Sequence, residues 1–514
     1  MKKSRLLLIL LTLCLLWALL VPALAADGQP AADAEEPNVL TLDAEAAPAS
    51  VTPANYAAGG EELPPPEITA RCALLTDLES GQTYYAKNAD QRAYPASLTK
   101  IMTVLLALEA VDRGDADLSD VVTAGPDCME GMDEDSSTAG IQEGETMSLE
   151  DLLYCAMISS ANEACNVIAS YIGGSIGAFV EQMNARAAEL GCTGTHFTNT
   201  HGMPDENHYT TAADLRIITE AALQYPLFFE MSNTLTYSVP ATNKHEAREL
   251  QNTNGLINPD SVIYPGYLYE PAAGIKTGHT NAAGFCLIST AEKNTVRLLC
   301  IVLGSTAVDR GDGMMKYQNF TDSIALYDWL YNNFSIQTVV SSTEPLRDVA
   351  VEMGSDADRV TVHAQKDLTA VLPNGADLSA YERSIVIYSE RDGTPLQAPV
   401  KAGDVLGGLT VQKDGQTLGT VPLVASVDVD LSRVVFLKNG LHSFFSKPLV
   451  LIVLAVVVLV LVLYIVAYVR YRRRRRRRIQ EARRRRQLEL EQYERERDEA
   501  VRREFEGRGP RRRR

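Results

Sequence analysis

Tyr94-Pro95-Ala96-Ser97-Leu98-Thr99-Lys100-Ile101-Met102-Thr103 is the stretch on which the reading of this chain turns. Apolar residues at Leu98, Ile101, Met102, Leu105 and Leu106 follow helical spacing and predict a buried helix. Ser97 and Lys100, three residues apart, share one face at its start. A hydroxyl is a poor nucleophile until a neighbour takes its proton. A lysine on an apolar helix has a lowered pKa because desolvation disfavours the ammonium, so the pair can act as nucleophile and base without a histidine. The helix amino terminus adds positive potential where an oxyanion would form, and the Ser97 backbone N–H can donate to it.

S-x-x-K alone is weak evidence, since ordinary residue frequencies give it about twice by chance in a chain of 514 residues. Context strengthens it. Ser160-Ala161-Asn162 follows a second apolar helical pattern over 148–170, and Lys276-Thr277-Gly278 leads directly into strand-like 284–290. Three such motifs in this order, each beside the appropriate element, are not an accident of composition.

The surroundings predict a mixed domain over 67–337. Alternation begins at 70–75, turns at Glu79-Ser80-Gly81 and resumes at 82–86, as in a hairpin. Another helix is expected over 176–190, a strand over 296–303, and a last helix over 322–333. From 338 to 430, short strands at 360–364, 368–372, 384–388 and 409–412 are separated by Gly, Asp and Pro turns, which predicts a small all-β domain.

The two ends are not globular. Lys2, Lys3 and Arg5 precede an apolar run from Leu6 to Val21 and the small-x-small Ala23-Leu24-Ala25, so residues 1–26 read as a signal peptide, the alternative being an uncleaved anchor. Residues 27–66 carry eight acidic residues, no Lys or Arg, and end in three prolines, the composition of an unfolded spacer. After a juxtamembrane linker at 431–447, the uncharged run 448–469 is long enough to span a bilayer. Arg470 and Arg472 to Arg478 follow it, and the positive-inside rule puts that side in the cytoplasm and the domains outside.

Charge is divided accordingly. Residues 470–514 hold 21 Arg and 9 acidic residues, while the rest carries 27 basic and 57 acidic residues. The basic tail suits anionic lipid head groups, and the acidic exterior speaks against nucleic acid as a partner. Of eight cysteines Cys14 lies in the signal segment. The odd seven remaining, with no C-x-x-C, exclude a dense disulfide framework or a zinc motif, although Cys286 and Cys300 would face each other across a hairpin turning near Lys293.

Three stretches carry a resemblance: Pro95 to Thr103, Asn199-Thr200-His201-Gly202-Met203, and Gly274-Ile275-Lys276-Thr277-Gly278-His279-Thr280. They resemble the low-molecular-mass penicillin-binding proteins, D-alanyl-D-alanine carboxypeptidases of the S11 serine peptidase family. The similarity runs from about 70 to 333, and Ala398-Pro399-Val400-Lys401-Ala402-Gly403-Asp404 resembles the β-domain that follows in that family. The resemblance implies a multidomain chain: a mixed α/β (α+β) penicillin-binding/β-lactamase-like transpeptidase domain, a small all-β domain and one transmembrane helix. It implies peptidoglycan stem peptides as substrate, β-lactams as ligands, and neither metal nor organic cofactor.

Residue by residue, it implies that Ser97 attacks the carbonyl between two terminal D-alanines and Lys100 accepts its proton. Ser160 would relay the proton to the leaving amine, and Asn162 would hold the substrate amide. Lys276 would bind Ser160 and the substrate; Thr277, beside Gly278, would bind the terminal carboxylate; the His279 N–H would complete the oxyanion hole. Arg310 would supply a second carboxylate contact, or else be a surface arginine. His201 is read as structural. The departures are Ala161 where Gly is often seen, facing away from the chemistry, a long 256–271 segment that would reshape the pocket, and a full span where many relatives use an amphipathic helix. A β-lactamase, an endopeptidase or transpeptidase, and a membrane-bound penicillin sensor without turnover would use the same acyl-enzyme.

Overall fold

The computed structural model describes residues 56–58, 61–134, 136–311, 314–413 and 415–506. The expected signal peptide and most of the spacer lie outside the described residues. The chain divides into two compact units, one running to Ser335 and including Val371–Ala376, the other comprising Ile336–Ala370 and Asp377 onward.

In the first unit, the hairpin β1 (Cys72–Asp77) and β2 (Thr83–Lys87) precedes a 3-10 turn, Ala96–Thr99, that runs into α1 (Lys100–Asp112). Helices α2 (Leu149–Met157), α3 (Asn162–Gly173), α4 (Ile176–Glu189), α5 (Ala212–Ala222) and α6 (Pro226–Asn233) follow. The chain then returns to strands β3 (Ala272–Thr280), β4 (Gly284–Lys293) and β5 (Val296–Ser305), a short hairpin β6 (Ala307–Asp309) and β7 (Met315–Tyr317), and α7 (Gln318–Asn333). The five-stranded sheet has the order β2-β1-β5-β4-β3 and is antiparallel throughout.

Alternation along the strands sorts side chains to two cores, because successive residues point to opposite faces. Leu74, Ile288 and Ile301 pack with α1 and the helical layer, whereas Leu75, Leu287, Leu298 and Val302 pack with Phe320, Leu326, Tyr327 and Leu330 of α7. Every residue of α1 from Lys100 to Ala110 is buried, as the expectation of a buried helix required. Each fully buried leucine there, such as Leu105, contributes roughly 2 kcal/mol.

Three expectations are corrected in this unit. The helical pattern over 148–170 is two helices: the chain breaks at 158–161, where Ser160 has φ 62° and the Ala161 N–H turns back to the Cys155 carbonyl. Neither Gly nor Pro marks the break, and apolar residues are buried on both sides of it, so the apolar pattern runs through it. The last helix begins at Gln318 instead of Asp322. Cys286 and Cys300 do not face each other: Cys300 pairs in register with Ser289, the two thiols point into different cores, and all seven described cysteines are free and buried.

The second unit contains β8 (Arg347–Glu352), β9 (Arg359–Ala364), β10 (Leu368–Pro373, shared by the two units), β11 (Glu382–Ile387), β12 (Leu396–Gln397), β13 (Val405–Lys413) and β14 (Gln416–Ala425). Six of these form one sheet in the order β11-β13-β14-β9-β8-β12. Inward residues such as Val360, Val362, Leu409, Val411, Val421 and Leu423 are buried at every second position of their strands. The four expected strands are all present. The segment 431–447 is largely helical, as α8 (Arg433–Ser446), capped by the Ser432 hydroxyl accepting from the Val435 N–H. Helix α9 (Pro448–Glu506) then continues for 59 residues from the apolar run into the Arg-rich tail. Among the described residues it is the one helix long and apolar enough to cross a membrane.

Candidate active site

Ser97 lies in the 3-10 turn, three residues before α1 begins at Lys100, which corrects the expectation that it sits in the first turn of the α-helix. The tighter winding matters: with three residues per turn, positions i and i+3 eclipse. Lys100 Nζ therefore stands 2.8 Å from Ser97 Oγ. The residue before the serine, Ala96, has φ 49°, a left-handed conformation that strains a non-glycine residue by about 1 kcal/mol or more.

Lys100 is fully buried, and its Nζ has two further partners, Asn162 Oδ1 at 2.7 Å and the His201 carbonyl at 2.9 Å. An ammonium can donate to all three. A neutral amine has two hydrogens and one lone pair, and here a carbonyl and an amide oxygen, which only accept, take both hydrogens and leave the lone pair facing the serine hydroxyl. Burial pushes the Lys100 pKa down to about 8, with Cys165 and Glu163 acting in the opposite direction. The neutral form is thus accessible near neutral pH, and its geometry is that of a base poised on Ser97.

The other motifs converge on the same turn. Gly278 lets β3 lie against it, since a Cβ there would stand 3.2 Å from the Pro95 carbonyl and 3.3 Å from Ser97 N. Gly202 does the same for the 199–203 loop: its φ is 97° and a Cβ would lie 1.8 Å from the Ala96 carbonyl oxygen. This close approach delivers the His201 carbonyl to Lys100. Ser160, Asn162, Lys276 and Thr277 are all buried, while Ser97 is half-buried and open to reaction.

One contact differs from those the resemblance implied. Lys276 does not bind Ser160; its Nζ donates to the Thr277 carbonyl at 3.2 Å, and the buried Ser160 Oγ has no hydrogen-bond partner. Asn162 accepts from Lys100 Nζ through its Oδ1. Burial, reinforced by Lys100, holds the Lys276 pKa well below that of an ordinary lysine. Thr277 Oγ1 is 2.6 Å from Thr253 Oγ1. The His279 ring is exposed and stacks on Phe285 at 4.1 Å between centroids. Arg310 is exposed on the β6–β7 hairpin, its N–H donating to the Met314 carbonyl. The His201 ring is buried and held down to about 3 by desolvation and by Lys100, so it stays neutral, in keeping with a structural part.

Sequence reasoning missed the residues that brace this arrangement. Glu163, wholly buried, accepts through Oε1 from Thr138 Oγ1 at 2.6 Å and the Ala139 N–H at 2.7 Å, fixing the loop whose Ser137 carbonyl receives the Asn162 N–H. Asn166 bridges the Cys128 and Glu130 carbonyls and accepts from Thr200 Oγ1. His208 contacts Thr99. A polar residue on an apolar helix face, as Glu163 and Asn166 are on α3, was the available signal; His208, in a loop, carried none.

Comparison with known proteins agrees with this architecture. Residues 59–307 match the family described as D-alanyl-D-alanine carboxypeptidase, and 334–431 match the penicillin-binding protein 5 C-terminal domain. The chain is 30% identical over 371 residues to D-alanyl-D-alanine carboxypeptidase DacA of Haemophilus influenzae, covering 71% of this chain and 86% of that protein. It is 29% identical over 377 residues to D-alanyl-D-alanine carboxypeptidase DacF of Bacillus subtilis, covering 72% and 88%. Among solved structures, penicillin-binding protein 5 from Haemophilus influenzae superposes with a TM-score of 0.54 at 29% identity, over 71% of this chain and 99% of that one. A penicillin-binding protein 3 from Streptococcus pneumoniae, at 24% identity, shares the fold with a TM-score of 0.57 over 71% and 100%. With identity of this extent across both domains, the chain belongs to the D-alanyl-D-alanine carboxypeptidase family, peptidase S11.

Proposed function

We propose that this chain is a serine-type D-alanyl-D-alanine carboxypeptidase that trims the terminal D-alanine from peptidoglycan stem peptides and is acylated by penicillins. The observation that carries the reading is a buried amine 2.8 Å from Ser97 Oγ whose other two contacts are both acceptors. Neutral Lys100 takes the Ser97 proton as Oγ bonds to the scissile carbonyl carbon. The carbonyl π electrons move to oxygen, and that oxyanion is received by the N–H groups of Ser97 and His279. On collapse the C–N bond breaks, and the leaving amine of D-alanine receives a proton through Ser160, whose unpartnered hydroxyl is free to pass one on. Water then cleaves the ester and Ser97 regains its hydrogen.

Lys276 and Thr277 receive the terminal carboxylate, with Arg310 as its second contact. Gly278 keeps their strand close to the turn, and Asn162, besides steadying Lys100, faces the substrate amide. In this reading the catalytic domain at 67–337 and the β-domain at 338–430 lie outside the cell, 448–469 spans the membrane once and the basic tail lies against anionic lipid within, as the positive-inside pattern supports.

Replacing Ser97 with Ala in the full chain tests the reading. Covalent labelling by a fluorescent penicillin and release of D-alanine from a D-Ala-D-Ala peptide should both vanish. Labelling that survives the change would exclude Ser97 as nucleophile; stoichiometric labelling of the wild type with no release of D-alanine would establish the sensor in place of the enzyme.

A further inference from the structure

Behind the nucleophile lies a buried imidazole that the reaction scheme does not use. His208 is 1% exposed, anchored by its backbone N–H to the Asp205 carbonyl and flanked edge-on by Phe197. Its two ring nitrogens have different partners. Nδ1 lies 3.0 Å from the Thr198 backbone nitrogen, which has a hydrogen to give and nothing with which to accept. Nδ1 is therefore the acceptor, and in a neutral ring the hydrogen must be on Nε2. Burial keeps the ring neutral, holding its pKa down to about 4.

Nε2 is 2.8 Å from Thr99 Oγ1, so His208 donates and the threonine accepts. With its lone pair so occupied, the Thr99 hydroxyl gives its own hydrogen to the Ala96 carbonyl, 2.9 Å away. One direction of donation thus runs from the Thr198 amide through the imidazole and the hydroxyl to Ala96. Ala96 is the residue in the left-handed conformation immediately before Ser97, and nothing in its own side chain favours that conformation. Its carbonyl is held by Thr99 on one side and closed over by Gly202 on the other.

We propose that His208 is a positioning residue for Ser97, acting through the Thr99 hydroxyl to hold the Ala96 turn and with it the serine-to-lysine distance. His208 touches neither the reacting atoms nor Lys100; it sets where the nucleophile stands. The inference rests on Ser97 being the nucleophile and goes beyond that reading, because the Ser-Lys chemistry uses no imidazole. Small displacements of a nucleophile slow the chemical step much more than they weaken binding.

The test is a set of paired substitutions in the full chain, read as the limiting rate and half-saturating concentration of acylation by a fluorescent penicillin, with melting temperature measured alongside. His208→Gln keeps a donor and Thr99→Ser keeps the hydroxyl. His208→Phe and Thr99→Val keep the bulk and lose the hydrogen bond. The limiting rate should fall about 10- to 100-fold in the Phe and Val variants with half-saturation changed less than about 3-fold, and should return to within about 3-fold of wild type in the Gln and Ser variants. Equal rates within each pair, or a loss confined to half-saturation, would overturn the proposal. So would rates that merely follow the melting temperature across all four. The threonine pair stands by itself if His208→Phe fails to fold. Wild type unlabelled under these conditions would instead remove the nucleophile reading beneath it.

Discussion

Replacing Asn162 with Asp changes one atom's chemistry at nearly constant shape and places a carboxylate where an amide oxygen now sits 2.7 Å from Lys100 Nζ. An opposite charge at such a distance stabilises the ammonium and raises a pKa by about 1 to 3. In the wild-type site burial holds Lys100 at about 8, so at pH 7 about one molecule in ten carries the neutral amine. With a shift of about 1 to 2, the value rises to about 9 to 10 and leaves roughly one in 100 to one in 1,000. If that amine is the base, acylation by penicillin at pH 7 should slow by about 10- to 100-fold. The loss should be recovered as pH rises, because the same neutral form is reached at higher pH. The wild-type rate should itself climb roughly tenfold from pH 7 to pH 9 and level off. Stopped-flow labelling from pH 6 to 10 resolves both curves. A variant profile lowered by one constant factor at every pH would refute the reasoning, since it would mean that Asn162 acts elsewhere than on the lysine proton.

Ser160→Ala should leave the melting temperature unchanged or slightly higher, because the buried hydroxyl it removes has no partner to lose, while release of D-alanine falls at least about 100-fold; a clear drop in melting temperature would show that Ser160 is bonded in the resting protein. Gly202→Ala puts a methyl group 1.8 Å from the Ala96 oxygen in a backbone conformation at φ 97°, so it should destabilise by roughly 3 kcal/mol or more and abolish labelling, and a folded, labelled variant would contradict the close approach. His201 and His208, held by burial at about 3 and about 4, should be neutral when folded and protonated when unfolded below pH 6.5. Depressed folded values mean stability that is present above pH 6.5 and is lost as pH falls toward 4, by roughly 3 kcal/mol for each group. Urea midpoints between pH 7 and 4 measure the slope, and a flat profile would contradict it.

What was legible in the sequence was what short-range geometry decides. Ser97 and Lys100 meet because a single turn of helix brings positions three apart together, whether that turn is α or 3-10. The apolar run at 448–469 declares itself by length, and strands such as Arg359–Ala364 by their alternation. The motifs around Ser160 and Lys276 could be seen, but not what their side chains touch.

Only the tertiary structure decided the rest. Asn162 reaches Lys100 across 62 residues of chain and His201 across 101, and which oxygen meets that nitrogen depends on how α3 and the 199–203 loop pack on α1. Sheet order and pleat, not spacing, sent Cys286 and Cys300 into opposite cores. The break before Asn162, the turning of Lys276 to its own strand and the burial of His208 behind Thr99 arise in the same way. Each is settled by which neighbours exclude water and which donor or acceptor lies nearest once the core has closed, and a list of residues in chain order holds neither quantity.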